Sequence, residues 1–147
     1  RQGARAILRL VDNAMRLVAK AWAEDGLRAH LGTTVPGFPN LFILAGPNTG
    51  IGHTSLVVMI EAQIRYMLGC LAEMDRLGAH AAEVRVEPFE AYNRALQQRM
   101  ARTVWNTGGC ASWYLDDEGR NTTLWPDFTF RFLQRTRRFD AESYTFT

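Results

Sequence analysis

The chain has 147 residues, of which 47% are hydrophobic and 22% charged, and its formal net charge is +2. That length fits one domain, and eight Phe, four Tyr and four Trp supply core bulk, so disorder is excluded for most of the chain. Seventeen basic residues against fifteen acidic ones exert little pull on an anionic partner, and no nucleic-acid partner is expected.

Residues 1–30 read as a helix, because Ile7, Leu10, Val11, Ala14, Leu17, Val18 and Trp22 recur at three- and four-residue spacing; Gly26 can end it. Turn chemistry follows over 32–40, with two prolines and two glycines. The apolar run 41–45 is predicted as a strand buried on both faces, as in a parallel sheet. Such a strand needs neighbours, so an incomplete sheet or self-association over its open edge is expected. Residues 46–52 break it. A helix is predicted over about 54–77, with Val57, Ile60, Ile64, Met67, Leu71 and Met74 on its apolar face and Gly78 as its stop.

Residues 83–87 alternate as a possible strand. Pro88 suits the first turn of a helix over 88–105 that buries Phe89, Tyr92, Leu96 and Met100. Residues 111–115 and 122–125 flank 116–120 as a hairpin. Phe128, Phe130 and Phe132 alternate as in a half-buried strand, and the polar tail from Arg135 is expected to wrap a surface.

Cys70 and Cys110 form no C-x-x-C or C-x-x-H arrangement, which points to a reducing, cytoplasmic setting. His30, His53 and His80 lie far apart, with no H-E-x-x-H and no clustered carboxylates, so no metal is expected. Asp116, Asp117 and Glu118 lack calcium-loop spacing and read as a solvated turn. Arg131, Arg135, Arg137 and Arg138 read as a solvated face rather than phosphate ligands. The longest apolar run, 56–60, is far short of the roughly 20 residues that span a bilayer, so no membrane partner is expected. The chain opens Arg-Gln-Gly, without Met or an apolar leader, which suggests a fragment or a processed chain.

The unit over 41–60 carries the most information. A loop of small residues before a helix lets backbone amides approach a ligand, and the helix N-terminus adds partial positive charge. Gly50-Ile51-Gly52-His53-Thr54-Ser55 imitates a dinucleotide fingerprint with Ser in the third glycine place. Glu87, however, lies farther along than the roughly 20 residues expected of a ribose-binding acid. A plain turn is the competing reading. His53 could meet an anion or serve as a structural hydrogen-bonder, and Trp113 and Trp125 could pack in the core or stack on a ligand ring.

Several segments together are more specific. They are Gly-Thr-Thr-Val-Pro-Gly-Phe-Pro-Asn-Leu-Phe (32–42), Gly-Pro-Asn-Thr-Gly (46–50), Gly-His-Thr-Ser (52–55) and Met-Ile-Glu-Ala-Gln (59–63). Val-Trp-Asn-Thr-Gly-Gly-Cys (104–110), Ser-Trp-Tyr-Leu-Asp (112–116), Gly-Arg-Asn (119–121) and Leu-Trp-Pro (124–126) follow. In this order they resemble the C-terminal part of flavin-dependent Baeyer–Villiger monooxygenases, especially the group related to 4-hydroxyacetophenone monooxygenase, over about Trp22 to Tyr144.

The resemblance implies an α/β class: the C-terminal portion of a Rossmann-like FAD/NAD(P)-binding flavoprotein, with a long helix after a buried strand and a C-terminal β-hairpin region. It separates a helical segment, 1–31, from 32–147 as the C-terminal part of the FAD-binding domain with hairpin and tail. It implies FAD and NADP as cofactors. Gly46, Pro47, Asn48, Thr49, Gly50, Thr54, Ser55 and Leu56 would face FAD, with Trp113 and Asn121 on the NADP and substrate side. The implied activity uses NADPH and O2 to insert oxygen next to a ketone or aldehyde carbonyl; oxygenation of nitrogen or sulfur is the close rival. No catalytic residue is identified within the chain. The G-x-G-x-x-G motifs for FAD and NADPH, the signature motif between them and the active-site Arg of such enzymes are absent here, so the chain is expected to need the remainder of a parent flavoprotein. Two other readings stand beside this one. The 41–87 unit could belong to a small NAD-binding module, or the 1–22 helix could dock a non-catalytic domain onto a partner or a second copy.

Overall fold

The computed structural model describes residues 2–52, 54–107, 114–116 and 118–147, with the backbone alone for 2–10, 106 and 107. The elements in order are α1 (Gln2–Asp25), α2 (Leu56–Leu77), β1 (Ala82–Val84), α3 (Val86–Met100), α4 (Val104–Thr107), α5 (Thr129–Thr136), a 3-10 turn (Ala141–Ser143) and β2 (Tyr144–Phe146). Among the described residues the sheet is β1 paired antiparallel with β2, Ala82 opposite Phe146 and Val84 opposite Tyr144.

α1 ends at Asp25, where the Gly26 amide still donates to the Trp22 carbonyl (2.9 Å). Val18 is fully buried while Val11 and Leu17 are exposed, so only part of the predicted stripe finds a surface.

No strand forms over 41–45. Leu41, Phe42 and Ile43 are half-buried, and Leu44 and Ala45 are exposed. The Ile43 amide donates to the Thr33 carbonyl (2.8 Å), and the Gln63 side chain takes the Ile43 carbonyl and the Ala45 amide. These bonds stand where a ladder was expected, and Ala45 at φ +53° turns the chain away. The expected parallel sheet and its open edge therefore have no counterpart among the described residues. The α/β class holds in a different form, as helices with a small antiparallel sheet.

α2 is the spine, about 33 Å long at 1.5 Å per residue. The Ser55 Oγ accepts from the Val57 amide (3.3 Å), which caps its start. Its end is a Schellman closure: left-handed Gly78 donates to the Asp75 carbonyl and Ala79 to the Met74 carbonyl. The buried face is Met59, Ala62, Gln63, Tyr66 and Cys70. This is rotated from the predicted stripe, since Val57 and Leu71 are exposed. Hydropathy alone cannot see the polar and small residues, Gln63 and Ala62, that define the packed face.

Two apolar clusters meet along α2. Leu31, Tyr66, Cys70, Val84, Phe89 and Tyr144 form one; Met59, Leu96, Met100, Leu124, Trp125 and Phe132 belong to the other. Trp125 packs, its ring 5.2 Å from that of Phe132. α3 begins two residues before Pro88 and ends at Met100, burying Phe89, Asn93, Leu96 and Met100. Glu87 lies in its first turn rather than at a strand end.

Residues 128–132 are not a strand. Thr129–Thr136 is a helix because Phe132 and Thr136, one turn apart, both bury, whereas Phe128 and Phe130 are exposed and stack on each other. The polar tail does more than wrap a surface: β2 pairs with β1, and Tyr144 enters the core.

Candidate functional site

The loop after Ile43 is shaped by two left-handed residues, Ala45 (φ +53°) and Asn48 (φ +57°). Asn tolerates that region, whereas Ala45 holds it against a steric cost of about 1 kcal/mol or more. Asn48 is 3% exposed, and its Nδ2 donates to the carbonyls of Asn121 (2.7 Å) and Leu124 (3.0 Å). The backbone continues the join: Asn48 N to Thr122 O (2.9 Å), Gly50 N to Thr123 O (2.8 Å) and Trp125 N to Gly50 O (2.7 Å). Gly50 and Leu124 thus form a parallel bridge across the two segments.

These bonds alter the sequence reading of the loop. The amides of Asn48 and Gly50 face the 122–123 carbonyls, and the Thr49 amide donates to Gly46 O (3.3 Å), so all three already have partners within the chain. The glycines answer to close packing as well. A Cβ on Gly50 would stand 2.9 Å from Thr123 O, and one on Gly46 would run into Gly32 O. A valine at position 50 therefore strikes the 121–125 segment before it meets any ligand.

A cavity of about 440 Å³ opens beside this loop. Gly46, Pro47, Thr49 and Gly50 form one wall, and Leu56 at the start of α2 stands at the cavity as well. Met15 and Trp22 of α1, Ile43, and Thr122 and Thr123 complete much of the rest, and the described lining has no charged side chain. Sequence reasoning missed these last residues because none carries a chemical signature; they lie far apart in the chain and only the fold collects them.

Of the predicted site residues, Gly46, Pro47, Thr49, Gly50 and Leu56 are thus brought together. Asn48 sits behind the wall and anchors it. Thr54 is engaged with Thr129 (2.8 Å between hydroxyl oxygens), and Ser55 caps α2. Asn121 is fully buried: its Oδ1 accepts from the amides of Thr123 (3.2 Å) and Leu124 (2.9 Å), and its carbonyl accepts from Asn48 and from Gln97 Nε2 (3.1 Å). It organises the segment that the loop docks on. Trp113, His53, Cys110 and Asp117 lie outside the described residues.

The dinucleotide-fingerprint reading loses its context, since no strand precedes Gly50, and Glu87 lines a separate depression with Glu83 and Thr145. Leu115 and Asn121 do bridge antiparallel around a tight turn, in which Asp116 accepts from the Glu118 and Arg120 amides and pairs with Arg120 Nε (2.8 Å). Among the described residues, no three His, Cys, Asp or Glu gather as a metal site, and no helix is long and apolar enough to cross a membrane. Burial lowers the His30 pKa to about 4 and raises that of the Cys70 thiol to about 11.

No protein-family model matches the chain. It is 52% identical over 128 residues to a protein named Baeyer-Villiger monooxygenase from Pseudomonas aeruginosa, a match covering 86% of this chain and 24% of that protein. To a protein of the same name from Streptomyces coelicolor it is 45% identical over 137 residues, covering 92% and 26%. Cyclohexanone monooxygenase from Rhodococcus sp. Phi1, solved bound to NADP+, superposes with a TM-score of 0.72 at 20% identity, over 86% of this chain and 24% of that one. An oxidized steroid monooxygenase bound to NADP gives 0.71 at 22% identity, with the same coverage. The fold is that of the C-terminal portion of such flavoproteins, and the chain spans about a quarter of the length of the curated relatives it matches.

Proposed function

Since this chain is homologous to the Baeyer–Villiger monooxygenases over about a quarter of their length, and shares their fold there, we propose that it supplies one wall of the FAD site of an NADPH-dependent monooxygenase. The observation that carries this reading is the uncharged cavity at the start of α2, walled by five of the residues assigned to FAD from sequence. Its size and apolar lining fit the ring end of a flavin. When bound, that cofactor supplies the reduction of O2 and the delivery of one oxygen atom beside a ketone or aldehyde carbonyl.

The chain's own residues then have definable tasks. Ile43, Pro47 and Leu56 exclude water from the ring. The N-terminus of α2, capped by Ser55, favours the negative charge of a reduced flavin. Asn48 and Asn121 hold the loop from behind. Trp113 and the nicotinamide-side contact belong to the proposal on resemblance alone. The remainder of the flavoprotein, a small carbonyl substrate and O2 are the partners.

The test is the cofactor content of the purified complete gene product. One FAD per chain, released by acid and identified by mass, is expected; a protein free of flavin after reconstitution attempts would overturn the reading. Product analysis with a cyclic ketone and an amine separates carbon from nitrogen oxygenation, and ester or lactone is the expected product.

A further inference from the structure

α2 carries one polar side chain that helix formation does not need. Gln63 is 0% exposed on the packed face, where an aliphatic residue of similar volume would fill the space. Burying a primary amide is unfavourable unless its donors and acceptor are all engaged. At Gln63 they are. Nε2 donates to Gly32 O (2.8 Å), to Thr33 Oγ1 (3.0 Å) and, more weakly, to Ile43 O (3.3 Å), while Oε1 accepts from the Ala45 amide (2.9 Å). The amide orientation is fixed by these partners, since two carbonyls require a donor and the Ala45 N–H requires an acceptor.

The four groups belong to two segments with no ladder between them: the turn at 32–33 and the loop 43–45 that leads into the cavity wall. Their direct backbone link is Ile43 N to Thr33 O (2.8 Å). The contact is tight, because a Cβ on Gly32 would collide with Thr49 and one on Gly46 with Gly32 O. A small displacement of Gly32 or Ile43 therefore moves Gly46, Pro47 and Thr49.

We propose that Gln63 is the positioning residue of the cofactor loop: its side-chain amide locks the 32–33 turn and the 43–45 loop onto α2, and so sets where Gly46 and Pro47 stand at the cavity. The role in cofactor binding rests on the flavin reading above; the locking of the loop does not.

The experiment compares the complete gene product with its Gln63→Leu and Gln63→Glu variants by amide hydrogen exchange, FAD affinity and the flavin absorption envelope. In Gln63→Leu, exchange should rise over 43–50 while the 66–77 half of α2 stays protected, and FAD should bind at least about tenfold more weakly at every pH. Gln63→Glu discriminates further. Its carboxylate cannot donate to the Gly32 and Ile43 carbonyls, whereas its protonated form regains one O–H donor for one of them, and none of the four partners titrates. Affinity and the flavin envelope should therefore recover in part on acidification between about pH 8 and 5.5, in this variant alone. Loss that runs parallel in both variants at all pH, with exchange raised throughout α2, would reduce Gln63 to a general stabilising residue and overturn the proposal. Loop exchange unchanged in Gln63→Leu, with FAD affinity within about twofold of the parent, would overturn it too. If the unmutated protein holds no FAD, the flavin reading fails and the exchange data alone decide whether Gln63 locks the loop.

Discussion

Asn48→Ala removes two side-chain hydrogen bonds to buried carbonyls and places Ala at φ +57°, so its effect has two separable parts. The lost bonds account for about 1 kcal/mol each, and the left-handed backbone for roughly 1 kcal/mol more in Ala than in Asn or Gly. Opening of the join between the loop and residues 121–125 should become easier by roughly 3 kcal/mol, a rise of about a hundredfold or more in its opening constant. The assay is native-state hydrogen exchange at the Gly50 and Trp125 amides, which bridge the two segments. Asn48→Gly keeps the backbone relaxed and should lose roughly 2 kcal/mol, giving the order Asn, Gly, Ala. Asn48→Asp, which accepts but cannot donate, should be no better than Gly. An Asp variant as protected as the parent, or Gly and Ala variants indistinguishable from it, would refute the reasoning.

Gly50→Val should lower the melting temperature of apo and FAD-loaded protein alike, because its side chain meets Thr123 O; a deficit confined to the loaded form would trace the effect to the ligand rather than to this packing. His30 has its pKa lowered to about 4 by burial, so an unfolded chain binds its proton first and stability is complete above about pH 6.5 and lost as pH falls towards 4. The loss from this group is roughly 3 kcal/mol, and His30→Phe, which keeps a ring against Tyr92, should flatten the denaturation-versus-pH curve over that range; an unchanged slope would show that His30 is not its source. Phe132→Ala should cost about 3 kcal/mol or more in thermal or chemical unfolding and Phe130→Ala about 0.5 kcal/mol or less; equal costs would favour strand-like alternation.

What could be read from the sequence was what local chemistry decides. The end of α2 was legible because Gly78 acts on its own neighbours, and its start was placed within two residues although Ser55, read as a ligand residue, is its cap. Its buried face was not, since the choice between Val57, Leu71 and Gln63 depends on partners far away in the chain. Residues 41–45 show the same limit: a short apolar run fits a buried strand or a loop pinned by a distant side chain, and Gln63 decides it. Phe128 and Phe132 are both two apart from Phe130 and four apart from each other, so the pattern satisfies strand and helix periods together. The cavity loop was legible as a loop, whereas its docking on 121–125 joins residues some seventy positions apart and leaves no short-range trace. The tail hid β2 because Tyr144 and Phe146 sit among polar residues that a two-stranded edge tolerates.

The most direct measurement of the central claim is turnover of the complete gene product with NADPH, a cyclic ketone and isotopically labelled O2. A protein carrying FAD, NADPH oxidation coupled to ketone, and a lactone containing one oxygen atom from O2 are the expected result. A lactone without the label, or no flavin and no ketone-dependent NADPH oxidation, would contradict it.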